Sequence, residues 1–338
     1  MKSLQVRISE FGERIMSVKY NLLKELEKTD AFISGEEIAA QLGVSRAAVW
    51  KAIRQLKDEG FEIESVTGRG YRLVSPADTL NADEIKRHLN KAASKLEIVV
   101  LESVDSTNNE AKRMLAGGFD GQALIISNEQ TGGRGRLGRS FYSPKNTGIY
   151  MSFLLKSDLK LVNAVSVTTA ASVAVVKAIE KVTGIKAQIK WVNDVYIGEK
   201  KVCGILTEAI SDFETATARN IIIGIGINIT TENFPEEITK SAASLNFHVP
   251  VRNEIIAAAA NEMIALADNL NDHSAFIDFY RRRSLVIGKE IDYYINGIKD
   301  CGTAIDIDDN GGLVVQKISG ELITLSSGEV TVRLHNTD

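Results

Sequence analysis

The sequence has few of the residues from which covalent cross-links and metal sites are built. Among its 338 residues there are two cysteines, Cys203 and Cys301, and four histidines. Two cysteines are too few for a disulfide framework or a cysteine-rich metal site, and they fit a reducing compartment. The histidines are scattered, without the spacing of a metal site. The sequence therefore indicates neither a metal centre nor a catalytic triad built on these residues.

Long apolar runs and a strong net charge are also absent. No stretch reaches the length that spans a bilayer, and the N-terminus has no signal-peptide apolar core. The formal net charge is -4, which argues against a protein that coats nucleic acid, so any basic surface must be local. Hydrophobic residues make up 44%, which is typical of a globular protein. We expect a cytoplasmic protein of two or three domains, without membrane contact.

Residues 17–75 have the pattern of a small helical domain. Leucines recur at helical spacing near its start, and Ser34 with Glu37 forms an S-x-x-E capping box before a second short helix. Gly43 ends that helix, and Ser45 can cap a third one. Three short helices with a glycine-containing turn before the third are typical of a helix-turn-helix.

The third helix and the segment that follows it are rich in basic residues. No acidic residue occurs between Ser45 and Lys57, and after this helix two predicted strands flank a turn at Thr67–Gly70. A recognition helix followed by a basic hairpin resembles the winged helix-turn-helix domains of bacterial repressors. We therefore predict that this domain binds DNA through Ser45, Arg46, Lys51, Arg54 and Arg69.

The alternative for this domain is a protein-interaction or vestigial module, because charged helix faces are usually only solvated. Basic and acidic residues balance over residues 1–79. One copy should therefore bind DNA weakly, and a dimer reading two half-sites would compensate for this. Trp50 lies on the third helix, and we expect it to pack against the core or a neighbouring helix rather than to contact a base.

The rest of the chain divides into two further domains. Long helices mixed with mostly adjacent strands, one of them predicted across Gln188–Gly198, indicate an α+β domain with helices on one side of a mixed sheet. From Gly288 onward, apolar and polar residues alternate between glycine-rich turns, which predicts a small antiparallel barrel. A linker is expected at Ser75–Thr79. We place an N-terminal extension at 1–16, with translation able to start at Met16, and domains at 17–75, 76–284 and 285–338.

The segment TGGRGRLGRSF, Thr131–Phe141, carries three arginines on a glycine-rich loop. It contains G-x-G-x-x-G, but that motif indicates a dinucleotide site only where it opens a helix, and Pro144 and Gly148 break any helix here. Glycine lets a backbone approach a ligand closely, and arginine offers paired donors to phosphate or carboxylate. We predict that this arginine loop binds an anion. The alternative is a flexible basic loop that contacts nothing or adheres to nucleic acid.

Further polar side chains interrupt apolar strands of the central domain, among them Lys190, Asn193, Asp194 and Lys201. Lysine is rarely buried unless it is paired, so these side chains favour a functional site. Four segments then occur in a characteristic order: STNNEAK from Ser106, EQTGGRGRLGRSFYSP, KWVNDVYIGEKKVCGILTE and IIIGIGINI. Together they resemble the catalytic domain of bacterial biotin protein ligases. With the winged helix, the whole chain resembles the bifunctional members of that family, which are also biotin-operon repressors.

The resemblance implies a two-step reaction without an enzyme nucleophile. The biotin carboxylate attacks the α-phosphate of ATP and gives biotinyl-5′-adenylate and pyrophosphate. A lysine of the biotin carboxyl carrier protein of acetyl-CoA carboxylase, or of another biotin-dependent carboxylase, then attacks this mixed anhydride. Catalysis would come from positioning and charge neutralisation, with Mg²⁺ as the usual companion of ATP. The resemblance also implies a class II synthetase-like central fold and an SH3-like C-terminal barrel.

The resemblance also assigns roles to matching positions. Side chains with donors and acceptors for the biotin ureido ring would be Ser106, Thr107, Asn108 and Gln130. The groups that bind the carboxylate and phosphates, with Arg134, Arg136 and Lys201 catalytic, would be Arg134, Gly135, Arg136, Lys201 and Gly204. The nucleotide side would comprise Arg139, Asn193, Asp194, Gly226 and Asn228, with residues 230–245 folding over adenine. Two positions depart from the family pattern: Phe141 replaces a common tryptophan and Val192 a frequent proline.

Regulation by the adenylate is a further implication. When carrier protein is scarce, the adenylate-bound form would dimerise through the central domain and bind operator DNA, with biotinyl-5′-AMP as corepressor. One competing reading is a lipoate or octanoate ligase, which shares the fold but lacks the winged helix and usually this arginine loop. Another is a non-catalytic transcription factor that senses a small molecule, against which Lys201 and the intact arginine loop argue.

Overall fold

The computed structural model describes residues 18–332, except for 20, 24, 27, 30, 59–60, 76–77, 161–163, 213–216, 248–249, 268–272, 296–297 and 327–329. These residues form two compact units that divide between Thr79 and Leu80. We call the residues up to Thr79 unit 1 and the residues from Leu80 onward unit 2. The expected extension at residues 1–16, including Met16, lies outside the described residues.

Unit 1 contains the predicted helix-turn-helix. Two of its helices are α1, Gly35–Leu42, and α2, Arg46–Asp58. The Ser34 side chain accepts a hydrogen bond from the backbone N–H of Glu37 at 3.1 Å, as the capping box predicts. Gly43 ends α1 in the left-handed region with φ 64°, which glycine adopts at little cost. These two caps fix the beginning and the end of α1.

A small apolar core holds unit 1 together. Backbone at described residues between 18 and 26 is helical, and its leucines pack against the inner faces of α1 and α2. The side chains buried in this core include Leu22, Leu26, Ile38, Val49, Ala52, Ile53 and Leu56. The helical spacing of these residues in the sequence therefore identified the buried stripe correctly.

The predicted hairpin follows α2 as strands β1, Glu62–Val66, and β2, Gly70–Ser75, which pair antiparallel. A bridge ties this wing to the segment before α1. The backbone N–H groups of Ile33 and Tyr71 each donate to the other residue's carbonyl at 2.9 Å. Gly70 lies beside this bridge with φ 107°, and a Cβ atom there would collide with the Ile33 backbone. The wing can therefore dock only with glycine at this position.

Unit 2 is built on a seven-stranded mixed sheet. In chain order its described strands are β3 (Glu97–Leu101), β4 (Ala123–Ser127), β5 (Gly148–Lys160), β6 (Gln188–Lys190), β7 (Asp194–Ile197), β8 (Lys200–Asp212) and β9 (Thr217–Asn228). They are arranged in the order β3-β4-β5-β9-β8-β7-β6. Strands β3 and β4 are parallel, and the other neighbours are antiparallel.

One strand prediction was wrong. The segment Gln188–Gly198 does not form a single strand, because Trp191, Val192 and Asn193 make a turn between β6 and β7. The two short strands pair with each other around that turn, so Lys190 opposes Asp194. The apolar pattern alone did not reveal this reversal, which lies at the edge of the site described below.

Helices cover both faces of the central sheet. They are α3 (Ala82–His88), α4 (Thr107–Ala116), α5 (Ala164–Thr183), α6 (Arg252–Ala267) and α7 (Ser274–Arg283). Leu124 and Ile126 of β4 pack in the large core with α5, α6 and α7. Ala123 and Ile125 point to the opposite face and pack against Ala111 of α4. The expectation of helices on one side therefore holds for most helices but not for α4.

The C-terminal part is a five-stranded antiparallel sheet. Its strands are β10 (Glu290–Ile295), β11 (Ile298–Ile307), β12 (Leu313–Lys317), β13 (Leu322–Leu325) and β14 (Val330–Val332), in the order β13-β12-β11-β10-β14. Buried residues of this sheet, such as Ile291 and Tyr293, belong to the large core of unit 2. Among the described residues, no helix combines the length and apolar content that crossing a membrane would require.

Substitution of Gly70 should destabilise unit 1 much more than substitution of Gly68. Both glycines have positive φ, but a Cβ at Gly68 meets open space, whereas one at Gly70 meets the Ile33 backbone. We expect Gly68→Ala to cost about 1 kcal/mol and Gly70→Ala at least about 3 kcal/mol. Calorimetry of the full chain should show the effect in the transition of unit 1 only. Equal effects of the two substitutions would contradict this explanation.

Candidate functional site

A cavity of about 380 Å³ lies in unit 2 beside strands β8 and β9, the start of α4 and the arginine loop. The polar and glycine residues assigned to ligands come from five separate stretches of sequence. All of them line this cavity: Ser106, Thr107, Asn108, Gln130, Arg134, Gly135, Arg136, Arg139, Asn193, Asp194, Lys201, Gly204, Gly226 and Asn228. The fold thus gathers the predicted residues in one place.

Two neighbouring residues hold two cations of the cavity. Arg136 donates to the side-chain oxygen of Asn193 at 3.1 Å, and Nζ of Lys201 lies 2.7 Å from Oδ1 of Asp194. The Asn193 amide nitrogen in turn donates to the carbonyl of Ile205 at 2.9 Å, which fixes it on β8. A guanidinium and an ammonium from distant segments are therefore held by consecutive residues, an arrangement suited to binding an anion.

The arginine loop is compact but not helical. Residues 136–138 form a single 3-10 turn, and the backbone N–H of Gly135 donates to the carbonyl of Arg139 at 2.7 Å. Arg136 is half-buried at the cavity, whereas Arg134 is exposed. The absence of a helix after the glycines in this described segment removes the dinucleotide-binding alternative.

A hydrogen-bonded cluster forms the wall of the cavity at the start of α4. Oε1 of Gln130 accepts from the backbone N–H of Thr107 at 2.9 Å and from its hydroxyl at 3.1 Å. Nε2 of Gln130 donates to Ser143 at 3.0 Å, and the Ser152 hydroxyl donates to Thr107 at 2.7 Å. Ser106 precedes the helix without capping it through its side chain. This wall is therefore positioned before any ligand binds.

Asn108 is held by the protein on both sides of its amide. Its nitrogen donates to Glu208 at 2.7 Å and its oxygen accepts from Ser152 at 2.6 Å. Lys112 also pairs with Glu208 at 2.7 Å. Burial raises the pKa of Glu208, but the hydrogen bonds from Lys112 and Asn108 outweigh burial and leave the pKa below its ordinary value. The ionised Glu208 therefore fixes the orientation of Asn108.

Sequence reasoning missed Glu208, although a carboxylate interrupting the apolar strand β8 was an available signal. It likewise missed the role of Ser152, which lies in the middle of β5 and whose hydroxyl is within hydrogen-bond distance of Thr107 and Asn108 of α4. A lone hydroxyl in an apolar strand is too common to be informative. Its partners became visible only once β5 was placed beside α4.

The glycines of β8 and β9 make room for an aromatic ring. A Cβ atom on Gly226 would collide with the ring of Phe141, and one on Gly204 would touch both this ring and the Lys201 side chain. Phe141 also packs edge-on against Tyr150, with 6.5 Å between ring centres. The Phe141 ring therefore occupies space next to the two glycines. It stands at the position where the family pattern has tryptophan.

Residues 230–245, expected to cover a nucleotide, border the same cavity. Phe234, Ile238, Ser241 and Ala242 line it. The backbone N–H of Lys201 donates to the carbonyl of Ser241 at 2.9 Å, which ties this segment to the start of β8. The segment is thus attached to the strand that carries the cavity lysine.

The C-terminal sheet also reaches the cavity, through Val330 and Thr331 of β14. In addition, the indole N–H of Trp191 donates to the carbonyl of Gly311 at 2.9 Å, and the Tyr280 hydroxyl donates to the carbonyl of Val192 at 3.2 Å. These bonds hold the turn that precedes Asn193. The family resemblance implies that the C-terminal domain helps to close the nucleotide site and to dock the carrier protein, with a stabilising appendage as the alternative. The particular contacts depend on the packing of distant segments.

The residues predicted to contact DNA lie on exposed surface of unit 1. The hydroxyl of Ser45 accepts from the backbone N–H of Ala48 at 3.2 Å and so caps α2. Arg69 in the wing stacks on Phe32, with its guanidinium 4.3 Å from the ring centre. Exposed basic side chains on α2 and the wing include Arg46, Lys51, Arg54, Lys57 and Arg69.

The expectation for Trp50 was wrong. Its side chain is 56% exposed and does not belong to the core of unit 1. The reason lies in its position on α2. Val49 and Ile53 occupy the inner face, and a residue one position after Val49 points away from it.

Family comparisons match three parts of the chain. The Biotin/lipoate A/B protein ligase family matches residues 100–228, an HTH domain matches residues 18–72, and the Biotin protein ligase C terminal domain matches residues 287–333. These matches fall in unit 1, in the central sheet and in the C-terminal sheet.

Several characterised relatives are similar over long stretches. The "Biotin--[acetyl-CoA-carboxylase] ligase" of Mycobacterium tuberculosis is 30% identical over 244 residues, which cover 69% of this chain and 88% of that protein. The "Bifunctional ligase/repressor BirA" of Bacillus spizizenii is 39% identical over 64% of this chain, but the match spans 66% of its own length, just under two thirds. The protein of the same name from Escherichia coli is 28% identical over 89% of this chain and 93% of its own.

A solved structure shares the architecture of unit 2. The biotin protein ligase from Aquifex aeolicus, in complex with biotin and ATP, matches with a TM-score of 0.58 and 28% sequence identity. The match covers 70% of this chain and 98% of that chain.

The two cysteines should differ strongly in reactivity. Cys203 is buried in β8 between Lys201 and Gly204, and burial raises the pKa of its thiol, whereas Cys301 is half-buried. We expect iodoacetamide to alkylate Cys301 at least about 100-fold faster than Cys203 in the native protein. Peptide mass spectrometry measures both rates, and urea should remove the difference. Similar rates in the native state would show that β8 opens readily.

Proposed function

Because the chain belongs to the biotin protein ligase family, we propose that it activates biotin with ATP and transfers the biotinyl group to a carrier protein. In the first step a biotin carboxylate oxygen attacks the α-phosphate, which forms biotinyl-5′-AMP and releases pyrophosphate. In the second step a carrier lysine amine attacks the acyl carbon, forms an amide and releases AMP. The acceptor is the biotin carboxyl carrier protein of acetyl-CoA carboxylase, or of a related biotin-dependent carboxylase.

The observation that carries this proposal is the pair of cations held by Asn193 and Asp194. Arg136 is hydrogen-bonded to Asn193 at 3.1 Å, and Lys201 forms an ion pair with Asp194 at 2.7 Å. Adenylate formation brings a carboxylate and a phosphate together, and the charge on both must be neutralised for the attack. In our proposal Arg134, Arg136 and Lys201 contact these groups, and Asn193 and Asp194 position them.

The hydrogen-bonded wall at the start of α4 suits the ureido end of biotin. A ureido ring needs both donors and acceptors, and the side chains at the start of α4 and on Gln130 provide both. Gln130 is already bonded to Thr107 and Asn108 to Glu208, so these two amides stabilise the wall as much as they offer groups to a ligand. In the proposal Gly135 and Gly204 bind biotin at its carboxylate end.

The nucleotide would occupy the part of the cavity bordered by residues 230–245, with Arg139, Gly226 and Asn228. Asn228 supports this assignment. Its amide nitrogen donates to the carbonyl of Ala243 at 3.0 Å, but its buried oxygen accepts no hydrogen bond from the described residues. A buried acceptor without a donor is costly, and an amino group of the nucleotide would satisfy it.

Magnesium would arrive with ATP. Of the described residues around the cavity, Asp194 supplies the sole carboxylate, and it is already paired with Lys201. No group of three or more acidic, histidine or cysteine side chains that could hold a metal occurs in the described part of the chain. The residues therefore fit an ion held mainly by phosphate oxygens and water, with at most one protein ligand. Such an ion would neutralise phosphate charge.

Several finer features belong to the same proposal. The central domain has a class II synthetase-like fold, and the five-stranded C-terminal sheet is an SH3-like barrel that closes the nucleotide end through β14. Domain boundaries at 16, 75 and 284 remain our assignment. We also propose that the protein works in the cytoplasm.

Unit 1 supports a second role as a repressor. Its basic helix and wing would bind operator DNA of biotin genes through Ser45, Arg46, Lys51, Arg54 and Arg69. Biotinyl-5′-AMP would be the corepressor and would favour a homodimer formed through the central domain. A ligand that favours the dimer must also bind the dimer more tightly, so scarcity of carrier protein would strengthen repression.

The direct test of the ligase assignment is a substrate panel. We expect pyrophosphate release with ATP and biotin. The rate of release should be at least about tenfold lower with lipoate or octanoate, because the hydrogen-bonded wall at the start of α4 suits a ureido ring. Addition of a biotin carrier domain should then produce biotinylated carrier. Release with lipoate or octanoate alone would support the lipoate-type alternative. No release with any acid would support the non-catalytic sensor.

Two arginine variants should separate the retention of biotinyl-5′-AMP from the binding of DNA. Arg136→Ala removes a cation from the cavity, so we expect biotinyl-5′-AMP to dissociate at least about tenfold faster, while DNA binding at saturating adenylate is kept. Arg54→Ala should weaken DNA binding and leave adenylate release unchanged. Rapid-filtration release assays and gel shifts measure the two effects. Loss of DNA binding in Arg136→Ala at saturating adenylate would contradict this division.

A further inference from the structure

Trp50 is a large apolar side chain that unit 1 leaves in solvent. It is 56% exposed, whereas Val49 beside it is fully buried. The Arg54 guanidinium lies over the indole, 5.8 Å from the ring centre, within the range of a cation–π contact. Leaving most of an indole in water forgoes a sizeable gain from burial. The position of this ring therefore points to a partner outside unit 1.

The surroundings of Trp50 define the kind of partner. Arg46 and Arg54 lie one turn before and one turn after it on the same face of α2, and Lys57 continues the row. Eight residues of helix span about 12 Å, so the two arginines can reach phosphates while Trp50 lies between them. Such a row suits a polyanion with an apolar feature between its charges.

Duplex DNA has such a feature in its major groove. The base edges there carry hydrogen-bonding groups, except for the C5-methyl group of thymine, which is apolar. An indole offers one N–H donor and a broad apolar surface. We propose that Trp50 is a specificity-determining residue that contacts a thymine methyl group in each half-site of the operator. This inference rests on the DNA-binding role proposed above.

The same face of α2 in a second copy of this chain is a less suitable partner for Trp50 than DNA. Between Ser45 and Lys57 the helix has only basic charged residues, so pairing two such faces would bring like charges together. An acidic protein partner would satisfy the charges but is not required by them. DNA offers phosphates to the row of cations and an apolar methyl group to the indole.

The test pairs removal of the indole with removal of the methyl group. A duplex is first selected by the wild-type protein from a randomised pool, with biotin and ATP present. Each thymine is then replaced in turn by deoxyuridine, which lacks only the methyl group. Affinities are measured for the wild-type protein, Trp50→Ala and the matched control Lys57→Ala. Pyrophosphate release with biotin and ATP checks that each variant retains the ligase activity of unit 2.

The expected result is a specific coupling. At one or two thymines of each half-site, loss of the methyl group should weaken DNA binding by the wild-type protein about fourfold, which is the effect of one buried methyl group. The same replacement should leave the DNA affinity of Trp50→Ala unchanged. Lys57→Ala should weaken all duplexes alike and keep the methyl effect. Additive effects of Trp50→Ala and deoxyuridine at every thymine would overturn the inference, as would an effect of Trp50→Ala on self-association alone. Failure of the wild-type protein to select any sequence would instead refute the DNA-binding role itself.

Discussion

The candidate ligand site depends on two short contacts made by consecutive residues. Asn193 holds Arg136 at 3.1 Å and Asp194 holds Lys201 at 2.7 Å. Without this hydrogen bond and this ion pair, one cation would belong to a solvent-exposed glycine-rich loop and the other to the start of a strand. Because the two anchoring residues are consecutive, the cations are fixed relative to each other and not merely relative to the fold. A site prepared in this way loses little entropy when two anionic groups must meet within it.

The rest of unit 2 explains why that pair of residues stays in place. The turn before Asn193 is bonded to the C-terminal sheet through Trp191 and to α7 through Tyr280. On its other side, Asn193 is bonded to β8. The C-terminal sheet is therefore more than an added domain, since it supports the turn from behind and also contributes Val330 and Thr331 to the cavity. Strand β8, helix α7 and the C-terminal part of unit 2 therefore all contact this turn.

Local features of the sequence predicted much of this architecture. The capping box at Ser34, the leucine spacing and the alternation of the strands depend on neighbours in the chain, so they identified the helix-turn-helix and most strands. The cavity residues were found because arginine, lysine and amide groups are unusual in apolar strands. Glu208, the turn at Trp191 and the exposure of Trp50 were not foreseen. The position of Trp50 one residue after Val49 and the carboxylate of Glu208 in an apolar strand were local signals that went unused. The turn at Trp191 depends on packing against distant segments, which a single sequence does not identify.

The central claim is that Asn193 acts by positioning Arg136. A double-mutant cycle on the dissociation rate of biotinyl-5′-AMP tests it most directly, with Asn193→Ala, Arg136→Ala and the double variant. The account predicts that both single variants release the adenylate faster and that the double variant releases it no faster than Arg136→Ala, a coupling of at least about 1 kcal/mol. Independent, additive effects of the two substitutions would contradict it.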